Sequence, residues 1–184
     1  KFTCVNSDYK EPYKTVTLQG RKMKPLFSLL KSNYYSSNEL QSNHLSGVDL
    51  YAEMGIDQDK LISQNPAYIN TCAARVSLAL LKSNVAFDGR MTIKSGRYSG
   101  KKIETGAKLL ADQLKRNDVF GMPEIYTPSQ FQNKVKGRKG IVLFWKITGY
   151  GGGHIDLIEA TTVNAVCSSG CYYQSKEIWF WPLK

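Results

Sequence analysis

The spacing of apolar residues changes character along the chain, from a helical period in the first two thirds to alternation in the last third. Residues 26–30, Leu-Phe-Ser-Leu-Leu, read as one apolar helical stretch that gives out in the polar, tyrosine-containing segment 32–38. A second helix is expected over residues 45–54, with Gly47 and Gly55 near its ends, and Gln64-Asn65-Pro66 reads as a turn. Residues 70–81, Asn-Thr-Cys-Ala-Ala-Arg-Val-Ser-Leu-Ala-Leu-Leu, form the strongest pattern. Asn70 or Thr71 can cap a helix there. The helix that follows is apolar nearly all round, which predicts burial in the middle of a domain. An amphipathic helix is expected over 103–115 and a short one over 129–136. Strands then follow at 140–147, 153–160 and 177–181, the first two joined by Gly149-Tyr150-Gly151-Gly152-Gly153. Helices first and an antiparallel sheet later give an α+β fold of two layers.

Length and composition fit this picture. The 184 residues suit a single catalytic domain over 1–184, with residues 1–25 as an irregular N-terminal extension punctuated by Pro12 and Pro25. At 42% apolar residues the chain can bury a core, and no apolar run is long enough to span a membrane. The first residues hold no hydrophobic stretch of signal-peptide type, so a signal has been removed or export follows another route. Twenty-five Lys and Arg against fifteen Asp and Glu give a net charge of +10, which attracts polyanions: nucleic acid, anionic lipid or an anionic cell wall. No nucleic-acid-binding motif accompanies the charge, so a toxin acting on nucleic acid is the weaker reading.

Four cysteines are present. Cys167 and Cys171 bracket Ser-Ser-Gly, a spacing that permits a disulfide around a tight loop and suits an oxidising compartment. A zinc site is excluded by the want of histidines near a cysteine pair. Cys4 has no assigned role. Cys72 falls in the first turn of the apolar helix, where the helix N-terminus favours a thiolate. Of the two histidines, His44 sits in a polar stretch and reads as a surface residue, whereas His154 follows three glycines and opens a strand. The glycines are expected to turn the backbone tightly and leave space beside the imidazole. A helix-start cysteine followed much later by a strand-start histidine is the papain-like order of nucleophile and base. Asp156, two residues on, projects from the same face of the strand as His154 and is a candidate to hold the ring. Asn164, in the following loop, is the other. The backbone N–H of Cys72 is a candidate oxyanion donor.

At these residues the chain resembles the type VI secretion amidase effectors of the fourth family. Residues 70–80 look like their nucleophile motif, 152–157 (Gly-Gly-His-Ile-Asp-Leu) like their histidine motif, 178–183 like their closing strand and 27–34 like their first helix. The resemblance implies an NlpC-type papain-like fold and a cysteine peptidase needing no metal or organic cofactor. It implies hydrolysis of the bond between D-glutamate and meso-diaminopimelate in peptidoglycan stem peptides, in the periplasm of a target bacterium. It further implies delivery by the type VI secretion machinery and a cognate immunity protein as partner. In the family an acidic residue in the loop after the histidine strand completes the triad, but residues 161–171 contain no acid here. Ile158 stands where the family often has Trp, which points to an altered cleft wall. The alternative from another class is a non-catalytic cell-wall-binding module on a degenerate peptidase fold. The basic stretches 134–139 and 89–102 read as solvated loop and surface connection rather than as wall-steering patch and cleft flap. Tyr34 and Tyr35 read as packing rather than substrate groove.

Overall fold

The structure, a computed structural model, describes residues 24–184; Cys4, Pro12 and all but the end of the 1–25 extension lie outside the described residues. In chain order the elements begin with α1 (Phe27–Ser32), α2 (Gly47–Glu53), α3 (Gln58–Gln64) and a 3-10 turn (Pro66–Ile69). Then come α4 (Cys72–Lys82), a hairpin of β1 (Met91–Thr92) and β2 (Lys102–Ile103), and α5 (Ala107–Leu114). The chain closes with β3 (Glu124–Tyr126), α6 (Pro128–Val135), β4 (Lys139–Ile147), β5 (His154–Glu159), β6 (Val166–Cys167) and β7 (Ser175–Leu183). Strands β3 to β7 form one antiparallel sheet in the order β3-β7-β4-β5-β6.

Alternation along the strands sorts their side chains onto two covered faces. Ile141 and Leu143 lie with Ile155, Leu157, Trp179 and Trp181 against α1, α4 and α5. Val142 and Phe144 lie with Ile158, Ile178 and Phe180 against Phe131 and Val135 of α6. That second cover adds a layer beyond the two expected. It also explains why β4 reads as a continuous apolar run: both its faces are dry. Gly140 allows the central strands their close approach, since a Cβ there would sit 2.0 Å from the Trp181 carbonyl oxygen.

Helix α4 is covered in the same two-sided way. Ala73, Val76, Ala79 and Leu80 face the sheet, while Ala74 and Leu78 pack on Leu50 and Tyr51 of α2, on Met54 just after it, and on Ile93 and Ile103 of the hairpin. An all-round apolar helix is stable only when enclosed like this. Its C-terminus falls at Ser83-Asn84, with Asn84 in the left-handed region at φ 61°.

Three expectations change. The helix expected from 103 begins at Ala107, because Ile103 pairs with Met91 in the hairpin and Gly106 is extended. Helix α3 was not predicted; it is nucleated by the Asp57 side chain, which accepts the Lys60 N–H at 3.2 Å. The stretch 89–102 is neither a plain connection nor a flap over Cys72. It is the hairpin, whose tip lines a cavity of about 490 Å³ with Glu53 and Lys82 at the far end of α4.

Candidate active site

Cys72 is the first residue of α4, as the sequence pattern requires, and is the one free cysteine among the described residues. The capping is done by Asn70 rather than Thr71: Asn70 Oδ1 accepts the Cys72 N–H at 3.2 Å, while Thr71 makes no side-chain cap. The N–H expected to serve an oxyanion is therefore occupied in this structure. Arg75, one turn on, pins the start of the helix. Its Nε donates to Thr71 Oγ1 at 2.8 Å, and its Nη1 donates to the carbonyls of Leu45 and Tyr35 at 2.7 and 3.2 Å. Burial holds its pKa below the usual arginine value. Nothing in the linear pattern marked Arg75; the only signal was a charge inside an otherwise apolar helix.

His154 opens β5 opposite Phe144. Of the glycines before it, Gly149 and Gly151 turn the chain with positive φ. Gly153 instead permits close packing, because a Cβ there would lie 3.0 Å from the Trp145 ring. The expectation of open space beside the imidazole is corrected on that side: the ring lies near parallel to Phe144 and 4.7 Å from the Tyr172 ring, centroid to centroid. Its Nε2 meets Asp156 Oδ2 at 2.8 Å. Cys72 lines the same cleft and acts electrostatically on the same imidazole, whose Nε2 is engaged by Asp156. Burial lowers the pKa of His154, but the hydrogen bonds and negative charge of Asp156 and Cys72 outweigh it and raise the value from 6.5 to about 9.

Asp156 has no solvent exposure. Its Oδ2 accepts the N–H groups of Gly170 and Ser169 at 2.9 and 3.0 Å, and its Oδ1 accepts those of Leu157 at 2.7 Å and Ser169 at 3.2 Å. Tyr34 donates its hydroxyl to Oδ1 at 3.3 Å. A buried carboxylate so surrounded by donors is held in one orientation. Asn164 lies on an exposed loop, where its carbonyl accepts from Thr162. Of the two sequence candidates, then, Asp156 meets the imidazole and Asn164 does not. The Ser169 and Gly170 amides belong to the loop closed by a Cys167–Cys171 disulfide, with a Cα–Cα distance of 5.2 Å.

Cys72 and His154 share a cleft of about 290 Å³ with Ser37, Ile69, Tyr150 and Tyr172. A second compartment of about 300 Å³ reaches Cys72 from the side of Lys108 and Trp145. Tyr150 borders both and accepts from Asn70 Nδ2 at 3.1 Å. Other sequence candidates fall away from this cleft. His44 is half-buried rather than on the surface, its Nδ1 3.1 Å from the Ser36 carbonyl oxygen. Tyr34 lies behind Asp156, and Tyr35 packs under Lys82. Ile158 belongs to the core under α6, so the exchange from Trp alters that core and not the cleft wall. In the basic stretch 134–139, Arg138 forms an ion pair with Glu124. Among the described residues no cluster of His, Cys, Asp and Glu is suited to hold a metal, and no helix is long and apolar enough to cross a membrane.

A helical layer presenting a buried cysteine at a helix start to the histidine-bearing strand of an antiparallel sheet defines an α+β hydrolase of papain-like architecture. The chain belongs to the family described as type VI secretion system amidase effector protein 4, whose model matches residues 68–181. It is thus an amidase effector of that secretion system. Two solved structures have the same fold. One is the effector Tae4 from Salmonella typhimurium in complex with the immunity protein Tai4 from Enterobacter cloacae, with TM-score 0.64, 18% identity, 88% of this chain and 100% of that chain covered. The other is the Tae4–Tai4 effector–immunity complex from Salmonella Typhimurium, with TM-score 0.61, 18% identity and the same coverage. No curated protein matches the chain.

Proposed function

We propose that this effector is a cysteine endopeptidase of the bacterial cell wall, cutting the D-glutamyl–meso-diaminopimelate bond of peptidoglycan stem peptides. The observation that carries the reading is the imidazole of His154, held by Asp156 through Nε2 and sharing one open cleft with the Cys72 thiol. A histidine with a pKa near 9 is charged at neutral pH and suits a thiolate–imidazolium pair. The thiolate attacks the scissile carbonyl carbon. The developing oxyanion takes the Cys72 N–H as Asn70 Oδ1 withdraws. His154 then donates its proton to the departing amine, and afterwards draws one from the water that hydrolyses the acyl-enzyme. Asp156 keeps the ring oriented through both steps.

Residues 1–184 would act as one catalytic domain, delivered by the type VI machinery to the periplasm of a target bacterium. A cognate immunity protein would cover the cleft in the producing cell. The test is digestion of purified diaminopimelate-type peptidoglycan with wild type and Cys72→Ala, reading products by mass spectrometry. New dipeptide stems from wild type alone are expected. Binding to the wall with no product from either protein would sink the reading and favour a non-catalytic wall-binding module.

A further inference from the structure

The carboxylate that aligns His154 is itself held from outside its strand. Two of its donors, the N–H groups of Ser169 and Gly170, lie within the three-residue loop closed by Cys167 and Cys171. The same loop is tied on its other side to the segment after α1. Ser169 Oγ lies 2.5 Å from the Tyr34 hydroxyl and accepts the Ser37 N–H at 3.1 Å, and the Ser168 carbonyl accepts from Ser36 Oγ at 2.5 Å. Strand β6 pairs with Ile158 and Glu159, and beside Asp156 and Leu157 of β5 this loop takes the place of a strand partner, with the Ser168 N–H bonded to the Leu157 carbonyl at 2.9 Å. A short Ser-Ser-Gly loop has little packing of its own to fix two amides on one oxygen; the covalent closure restricts it.

We propose that the Cys167–Cys171 disulfide is a redox-dependent clamp on the active site, with Ser169, Gly170 and Tyr34 as positioning residues that act through Asp156. The proposal rests on the reading of Cys72, His154 and Asp156 given above. The switching step is thiol–disulfide exchange with a dithiol reductant. The S–S bond takes up two electrons and two protons to give two thiols, and the reductant leaves as its own disulfide. Reduction frees the loop, the two amide donors leave Asp156, and the carboxylate loses its fixed orientation toward the ring. The effector is then slow in a reducing compartment, where such a bridge does not persist, and fast in an oxidising one.

The groups that face His154 are Cys72 from α4, Asp156 on its own strand and Tyr172 from the segment after β6; Tyr34 and Arg75 face Asp156 from behind. Two measurements separate the clamp from general stabilisation. The first is kcat and KM on peptidoglycan fragments for wild type and for the Cys167→Ser/Cys171→Ser double variant, both kept in monothiol-free phosphine reductant to protect Cys72, against oxidised wild type with Cys72 freshly unmasked. Reduced wild type and the double variant should each lose about tenfold or more in kcat with KM little changed. The second is the NMR titration of the His154 imidazole in Cys72→Ala, with the 167–171 bridge intact and then reduced by dithiothreitol. The midpoint should fall on reduction and recover on reoxidation, which loss of stability alone does not produce. A midpoint unmoved by reduction overturns the proposal whatever the kinetics. Absence of turnover in every state refutes the peptidase reading instead, and leaves the titration to decide the clamp.

Discussion

At the scale of single residues, one imidazole connects everything that matters chemically. His154 reads Cys72 on one side and Asp156 on the other, and each contact has its own consequence. Asp156→Asn keeps the shape but removes the charge and offers the ring a carboxamide. Turnover should fall roughly 10²- to 10⁴-fold with KM nearly unchanged, as when the orienting carboxylate of a triad is made an amide. A variant with wild-type kcat would remove Asp156 from the catalytic set. If His154 acts as proposed, its raised pKa sets the alkaline limit of activity. Because acylation needs the imidazolium to protonate the leaving amine, kcat/KM should decline as pH rises through about 9. A profile declining instead near 6.5 would mean that the two anionic partners do not hold the proton. The positions of these three residues were readable from residue type and spacing. Cys72 stood at a helix start, His154 at a strand start, and Asp156 two residues on, where the strand period forces a common face. Its choice over Asn164 was not readable, since it depends on where an irregular loop travels.

At the scale of elements, the helix that opens with Cys72 is positioned by a charge buried inside it. Arg75 joins the first turn of α4 to the carbonyls that follow α1 and precede α2, and it is 3% exposed. Arg75→Met keeps the length of the side chain but leaves those carbonyls and Thr71 Oγ1 short of a donor in a dry site. A loss of about 2–4 kcal/mol is expected, seen as a melting temperature lower by roughly 10 °C. Wild-type melting behaviour in that variant would show the contacts to be dispensable. Sequence pattern located α1, α2, α4, α6 and the three long strands to within a few residues, because each carries a full apolar stripe or alternation. It missed α3, with its half-exposed sequence, and it extended α5 back over Ile103. A two-residue strand such as β2 has no period to detect; only its pairing with β1 makes it a strand.

At the scale of the whole molecule, the site makes demands on stability and on charge. The folded pKa of His154, about 9, lies above its ordinary 6.5, so its partners stabilise the fold fully below pH 6.5. That contribution is lost as pH rises through about 9. Denaturant midpoints should drop across that window in wild type and drop less in His154→Gln; parallel curves would place the linkage elsewhere. The net charge of +10 is a property of the entire surface, and binding to anionic sacculi should weaken steeply as salt rises from about 0.05 to 0.5 M. Salt-independent binding would mean that local contacts, not the overall field, govern wall association. The sequence by itself determined the α+β class, the burial of the Cys72 helix, the placing of Cys72 at a helix start and His154 at a strand start, and the tight Cys167–Cys171 loop, since all of these follow from local period, caps and spacing. Only the tertiary structure decided that the loop within that bridge grips Asp156, that Tyr34 backs the carboxylate instead of lining a groove, and that Asn70 covers the Cys72 N–H. Those contacts join residues far apart in the chain, and no local period records which of them will meet.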